Sequence, residues 1–362
     1  MNKITIVAGA RPNFMKIAPI VHSILKVKAK SHKLDYRLIH TGQHYDKNMS
    51  GSFFEELEIP APHNNLECGS GSQAEQTAAI MVAFEKELMT HPADVVLVVG
   101  DVTSTMACAI VAQKLHTKVA HVEAGIRSGD WSMPEEINRL VTDSITNYFF
   151  TTSPTANEHL KSSGIGDEAI YFVGNTMIDT LLKQRSNFKQ PMIWEKLNLS
   201  TQSYVVMTLH RPANVDQENK LKALIDEIIL HSGEMPLIFP MHPRTAAIFK
   251  RLNIKHPRLH TIAPLSYLEF NYLVERAKVV LTDSGGITEE TTVMGVPCMT
   301  LRDNTERPET ISEGTNELIG TDPKAIAPAF IKLLSNKWKV GKVPELWDGK
   351  TARRIVNILI KL

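Results

Sequence analysis

The stretch Val95-Val96-Leu97-Val98-Val99-Gly100-Asp101, followed by Lys118-Val119-Ala120-His121-Val122-Glu123-Ala124-Gly125-Ile126-Arg127 and Met133-Pro134-Glu135-Glu136-Ile137-Asn138-Arg139, decides how this chain folds. The run Val95 to Val99 is continuously apolar and mostly β-branched, as in a strand covered on both faces, and it stops at a glycine with a carboxylate behind it. A helix follows, with Thr103 or Ser104 as its expected cap and Met106, Ala109, Ile110 and Ala112 at helical spacing. The unit then repeats: Val119 to Val122 is a second strand, ending at Glu123. Open parallel sheets take ligands outside the carboxyl ends of their strands, so Asp101 and Glu123 are expected in one crevice. Ser132-Met133-Pro134-Glu135 reads as a capping box, with Ile137, Leu140, Val141 and Ile145 as the buried face of the next helix. An acid after a strand often only caps a helix, but three acidic strand or helix ends beside Gly100 and Gly125 favour chemistry.

Outward from this stretch the pattern continues. Ile4 to Ala8 is a strand that Gly9-Ala10-Arg11-Pro12-Asn13 turns into a helix, leaving free backbone N–H groups beside Arg11, with Lys16 one turn on. Further strands are expected at Tyr36–His40, Tyr148–Thr152 and Tyr171–Gly174, and helices at 50–59 and 73–91. His40 and His44 have the spacing of a metal pair but lack a third ligand, so no metal is expected. After a polar stretch from Lys183 to Gln190 the alternation restarts. Strands at 204–209, 237–241, 259–262, 279–282 and 296–301 predict a second α/β domain, with boundaries at 1–182 and 183–349. Ser284-Gly285-Gly286, between a strand and a helix, is the clearest anion cradle, with Glu290 one turn in and Arg302 to Arg307 at a neighbouring strand end. With Arg11, Lys16, His210 and Arg211 these cations suit one diphosphate, and the site is expected between the domains.

Composition narrows the partners. At 362 residues two cores are the default, and 43% hydrophobic with 22% charged residues is ordinary for a globular chain. Forty Lys and Arg against 39 Asp and Glu leave +1, so no global field gathers nucleic acid or an anionic membrane. The first apolar stretch, Ile4 to Ala8, is too short and too soon interrupted by Arg11 to be expected as a signal peptide, and no run reaches transmembrane length. Three scattered cysteines, Cys68, Cys108 and Cys298, fit reduced thiols in a cytoplasmic protein. No Gly-x-Gly-x-x-Gly follows a strand, and there is no phosphate loop, serine nucleophile elbow or zinc-protease helix. What remains is acid and base work by carboxylates and His210 beside a diphosphate.

At this point the motifs carry a resemblance. Gly9-Ala10-Arg11-Pro12, Gly100-Asp101, His121 to Arg127, Pro134 to Arg139, Gly174-Asn175-Thr176, Thr208 to Arg211, Asp283 to Glu290 and Arg302 to Glu309 together resemble the non-hydrolysing UDP-N-acetylglucosamine 2-epimerases, nearly end to end. The resemblance implies two Rossmann-like domains facing across a cleft in the glycosyltransferase-B arrangement, a dimer, and a terminal helix near 350–362 returning to the first domain. It implies elimination of UDP to a 2-acetamidoglucal and re-addition with inversion at C2, without nicotinamide or any other cofactor, for surface polysaccharide synthesis. By motif it makes Asp101, Glu123, Glu135 and His210 catalytic, and Arg11, Ser284, Gly285, Gly286 and Glu290 contacts to UDP. Gln43, Arg211 and His242 match a second, allosteric site of bacterial members. Two positions depart from the family: Asn13 stands where Glu often follows Arg-Pro, and Gly69-Ser70-Gly71-Ser72 replaces a segment that carries an allosteric arginine. Relatives acting on modified sugars such as UDP-2,3-diacetamido glucuronic acid share these departures. A glycosyltransferase and a sugar-nucleotide sensor are the rival readings; the first explains the acid cluster poorly, and the second predicts tight UDP binding without turnover.

Overall fold

The computed structural model describes residues 2–31, 34–42, 54, 56–241 and 243–362. By contacts the chain forms two compact units, Met1–Thr180 with Glu345–Leu362, and Leu181–Pro344. The expected helix at 50–59 lies largely outside the described residues. So do His44 and the allosteric candidates Gln43 and His242.

In the first unit seven strands, β1 (Asn2–Ala8), β2 (Leu34–His40), β3 (Asn64–Asn65), β4 (Val95–Val99), β5 (Lys118–Val122), β6 (Tyr148–Thr151) and β7 (Ile170–Phe172), pair in the order β3-β2-β1-β4-β5-β6-β7. Every pairing is parallel. All five residues of β4 are buried, as a central strand with helices on both faces requires. One of its faces packs Val96 and Val98 with Val7, Ile39, Ile80, Phe84 and Val119. Removing each such side chain from water contributes about 1.5–3 kcal/mol. The chain order reverses beside β1, where β2 leaves on one side and β4 arrives on the other. That switch point opens the crevice into which the ends of β1 and β4 deliver their loops.

The second unit repeats the scheme with β8 (Val205–Thr208), β9 (Leu237–Pro240), β10 (Leu259–Ile262), β11 (Val279–Thr282), β12 (Cys298–Thr300) and β13 (Asn316–Leu318), in the parallel order β10-β9-β8-β11-β12-β13. Its switch point lies between β8 and β11, so the loops after Thr208 and after Thr282 take the corresponding places. The short strands β3 and β13 were not expected from the sequence.

The final helix, Thr351–Leu359, belongs to the first unit and packs against the helix Arg11–Ser31. Its exposed N–H groups are taken by Asp179, whose carboxylate accepts from Thr351 at 3.1 Å and Ala352 at 2.7 Å. Trp347, 1% exposed, donates its indole N–H to Thr152 O at 3.0 Å, pinning the returning chain.

Three local expectations are corrected. The helices Thr103–Lys114 and Pro134–Ser144 are preceded by Val102 and Met133, and neither has a side-chain cap. The hydroxyls expected there serve other partners: Thr103 donates to Gln73 Oε1, Ser104 pairs with Thr41 at 2.8 Å, and Ser132 donates to Asp130 at 2.6 Å. Third, the helix Pro134–Ser144 buries Glu136, Asn138, Arg139, Thr142 and Asp143 and leaves Ile137 44% exposed. Of the face expected to be core, Ile137 is turned outward while Leu140, Val141 and Ile145 are half-buried, Ile145 against the core, because the deepest positions are taken by charged and polar groups.

Candidate functional site

The first unit's site is built at its switch point. Where β1 ends, Asn13 closes the turn: its side-chain oxygen accepts from the backbone N–H groups of Gly9 and Ala10, both at 3.0 Å. Its amide group donates to Val99 O, at the end of β4, at 3.1 Å. Arg11 opens the helix Arg11–Ser31 beside this turn. Lys16, one turn further, forms an ion pair with Glu123 Oε2 at 2.8 Å, both groups being nearly buried. Gly100 suits this place, because its φ is +67° and a Cβ would stand 3.0 Å from Lys16 Nζ, so a side chain here would be strained and crowd the lysine.

Glu123 is a non-glycine residue at φ 70°, as are others among the described residues, but it alone of the candidate catalytic residues has this backbone. Such a left-handed backbone costs about 1–2 kcal/mol and persists only where neighbours impose it. The neighbours here are charged. His121 is fully buried, with Nδ1 2.7 Å from Asp143 and Nε2 2.8 Å from Gly100 O. Asp143 also accepts from Gly125 N–H at 3.0 Å and from Arg127 at 2.6 Å. Burial pushes the Asp143 carboxyl up, but the bonds and charges of His121 and Arg127 prevail and hold it below the usual range. The ends of β4 and β5 are thereby tied on both sides of Glu123.

Asp101, expected at the same edge, is there and about a third exposed; Arg139, only 3% exposed, holds it by a two-nitrogen contact. Arg139 also pairs with Glu136 at 2.7 Å, and Asn138 donates to Asp101 O at 2.8 Å. Glu136 is buried, which raises its carboxyl, yet the N–H groups of Ser128 and Gly129 and the Arg139 guanidinium lower it below the ordinary value. Glu135 sits in the first turn of the helix Pro134–Ser144, half-buried. A carboxylate there is favoured by the free N–H groups of the helix start.

The second unit's site has the same frame and other chemistry. Its β8 loop bears His210 and Arg211, and β11 ends in Asp283, which is fully buried. Asp283 accepts from the backbone N–H groups of His210 and Arg211, from the Asn214 amide at 3.1 Å, and faces His210 Nδ1 at 2.8 Å. Burial alone would raise its carboxyl; the bond and charge of His210, with Arg211 and Asn214, hold it low. Ser284, Gly285 and Gly286 follow, opening the helix Gly285–Met294, whose first turn holds no acid. Beside this helix start lies Arg302, 4% exposed with one terminal nitrogen buried and unbonded, an arrangement able to take an anion. Glu306 lies over it, paired with Arg302 at 2.6 Å; a Cβ on Gly285 would come within 2.8 Å of that carboxylate. Burial raises the Glu306 carboxyl, but the Arg302 bond and the charges of Arg302, Arg211 and Arg307 bring it to about 2.

Glu290, one turn into that helix, is 4% exposed and accepts from Tyr267 Oη at 2.8 Å. Burial lifts its carboxyl to about 7 against the pull of Tyr267 and Asn271. Two expected ligand cations have internal partners: Lys16 pairs with Glu123, and buried Arg307 pairs with Glu289 at 2.5 Å. Their charge orients acids of their own unit. Sequence reasoning gave no role to Asn13, Arg139, Asp143, Asp283 or Glu306. Only Asp283 carried a signal that could have found it, the strand-end acid that singled out Asp101.

Comparison with known proteins agrees with this geometry. The family model described as UDP-N-acetylglucosamine 2-epimerase matches residues 26–360. The chain is 41% identical over 367 residues to a UDP-N-acetylglucosamine 2-epimerase of Methanocaldococcus jannaschii, covering 99% of this chain and 98% of that one. It is 37% identical to a UDP-2,3-diacetamido-2,3-dideoxy-D-glucuronate 2-epimerase of Pseudomonas aeruginosa, covering 99% and 100%. The crystal structure of the Methanocaldococcus jannaschii UDP-GlcNAc 2-epimerase in complex with UDP-GlcNAc and UDP superposes with a TM-score of 0.89 at 39% identity, covering 99% of this chain and 100% of that one. With two parallel α/β domains of the glycosyltransferase-B class, and with strand-end acids in one and a Ser-Gly-Gly helix start in the other, this chain belongs to the UDP-N-acetylglucosamine 2-epimerase family.

Proposed function

We propose that this isomerase interconverts UDP-N-acetylglucosamine and UDP-N-acetylmannosamine by eliminating and re-adding UDP, with Asp101, Glu123, Glu135 and His210 as its catalytic residues. The observation that carries the reading is the pair Asp101 and Glu123 at the ends of β4 and β5. Each is oriented by a cation from another element, Arg139 and Lys16. Inversion at C2 needs proton removal on one face and delivery on the other, so two acid/base groups are required. In the first step a carboxylate takes the C2 proton while the C1–O bond to UDP breaks, leaving a C1=C2 alkene, the 2-acetamidoglucal. In the second, UDP bonds again at C1 and a proton arrives at C2 from the other face. The Ser284 side chain and the backbone N–H groups of Gly285 and Gly286, with Arg302, Arg211 and Arg11, hold the diphosphate, and Glu290 accepts from the ribose hydroxyls.

Incubation with UDP-N-acetylglucosamine in deuterium oxide, with no acceptor, tests this. Expected is a mixture of two UDP-sugars with deuterium at C2 of the product; product with no deuterium at C2 overturns elimination. The relative acting on UDP-2,3-diacetamido-2,3-dideoxy-D-glucuronate supports a second reading, in which this chain takes that sugar. The ratio of kcat/KM for the two sugars decides between them.

The homodimer and the cytoplasmic location belong to the same proposal. Among the described residues no helix is long and apolar enough to cross a membrane. An apolar groove of about 540 Å³, lined by Met81, Met106, Trp131, Pro134 and Ile137, leaves Trp131 71% exposed, which suits a second copy of this chain. Sedimentation at two concentrations reads the state.

A further inference from the structure

Asp283 does more than end a strand. Its carboxylate is fully buried and has donors on every side: the N–H groups of His210 and Arg211, the Asn214 amide, and the ring of His210. A carboxylate only accepts, so the His210 nitrogen facing it, Nδ1 at 2.8 Å, has to carry a proton. When the ring is in its neutral form, its lone pair is therefore on Nε2. The His210 side chain is about half exposed while its partner is not exposed at all, so the solvent-facing end of the pair is Nε2. Asp283 also holds Arg211 in place, its backbone oxygen accepting from Arg211 Nε at 2.9 Å.

We propose that Asp283 is the positioning residue for His210: it fixes the Nδ1–H tautomer and directs Nε2 outward as the atom that exchanges a proton with the reacting sugar nucleotide. The other acid at this edge, Glu306, is committed to Arg302, with Arg211 3.7 Å from it. The inference rests on His210 acting in the reaction, and it adds which nitrogen acts and what sets it.

The test uses Asp283→Asn, which keeps shape. Its amide oxygen still satisfies the backbone N–H donors, while its NH2 faces Nδ1 and forces the proton to Nε2. Expected is a fall in kcat of about 10²–10³-fold with KM changed less than about threefold. In protein labelled with ¹⁵N-histidine, the His210 ring should show a protonated Nδ1 in the native protein and a protonated Nε2 in the variant. The native spectrum alone is decisive: a neutral His210 protonated at Nε2 overturns the proposal whether or not the variant folds. Full activity in Asp283→Asn while His210→Ala is inactive also overturns it, and leaves the role of His210 standing. Full activity in His210→Ala removes His210 from the reaction, and the proposal falls with that reading.

Discussion

The loops after β1 and after β8 are alike in sequence and place, yet they present opposite chemistry. One reads Arg11-Pro12-Asn13, the other Arg211-Pro212-Ala213-Asn214, and both lie at a switch point. In the first, Asn13 spans the gap, bonding main chain on both sides, so the closure is neutral. The acid beyond it, Asp101, is free to look outward, oriented by a buried Arg139. In the second, Asn214 bonds Asp283 and Leu301 O, and the acid itself forms the closure. What looks outward there is an imidazole, with its carboxylate buried beneath it. In both units a buried charged group orients a more exposed partner, Arg139 for Asp101 and Asp283 for His210.

The largest expected effect breaks the comparison on the side of the first unit. Asp101→Asn and Glu123→Gln keep shape and remove the base, so each should lower turnover by about 10²–10⁴-fold while UDP binding, read by calorimetry, stays within a few-fold. Loss of UDP binding in step with turnover would mean that these acids serve the diphosphate instead. A smaller effect comes from making the two closures alike. Asn13→Asp sets an oxygen against Val99 O, and a carboxylate in the first helical turn recovers part of that cost, leaving a net loss of about 1–2 kcal/mol. Chemical denaturation reads it, and an unchanged midpoint would show that the charge of the closure is immaterial.

The smallest effect is a matter of pH. Glu290 is protonated in the fold up to about 7, against an ordinary 4.5. A carboxyl raised in this way adds stability that is complete below about 4.5 and is lost as pH rises through about 7. Asp143, Asp283 and Glu306 are lowered and act the other way, their contribution present above the ordinary carboxylate range and lost as pH falls below it. Glu290→Gln should therefore flatten the stability profile between pH 5 and 7 by about 1–3 kcal/mol and leave the acid limb alone. A parallel loss in native and variant protein across that window would place the effect elsewhere.

How far the sequence carried can be read from single residues. Val95 to Val99 and Val119 to Val122 are strands because nothing but a doubly covered sheet suits such runs, and the acids after them fall at the edge they were expected to occupy. The helix Pro134–Ser144 shows the limit. Apolar spacing pointed to Ile137 and Leu140 as its core, but its inward face is made of Glu136, Arg139 and Asp143, whose burial depends on partners from distant chain. Asn13 meets Val99 across 86 positions, and His210 meets Asp283 across 73. No local period records such pairs. Periodicity finds surfaces that leave water for want of polarity; it does not find polar groups buried because they satisfy one another.

The return of residues 345–362 to the first unit has a consequence for synthesis. The second unit, 181–344, is an insertion into the first, and on the ribosome it is complete while the first still lacks Trp347 and the helix Thr351–Leu359. At about 5–20 residues per second, its 164 residues (344 − 180) take roughly ten to thirty seconds to emerge. Through that interval the carboxylate-bearing sheet waits unfinished, with Asp179 lacking the helix it caps. Slow codons or a chaperone acting on the nascent chain would have their effect on the first unit, although the residues that complete it are made only after the whole of the second.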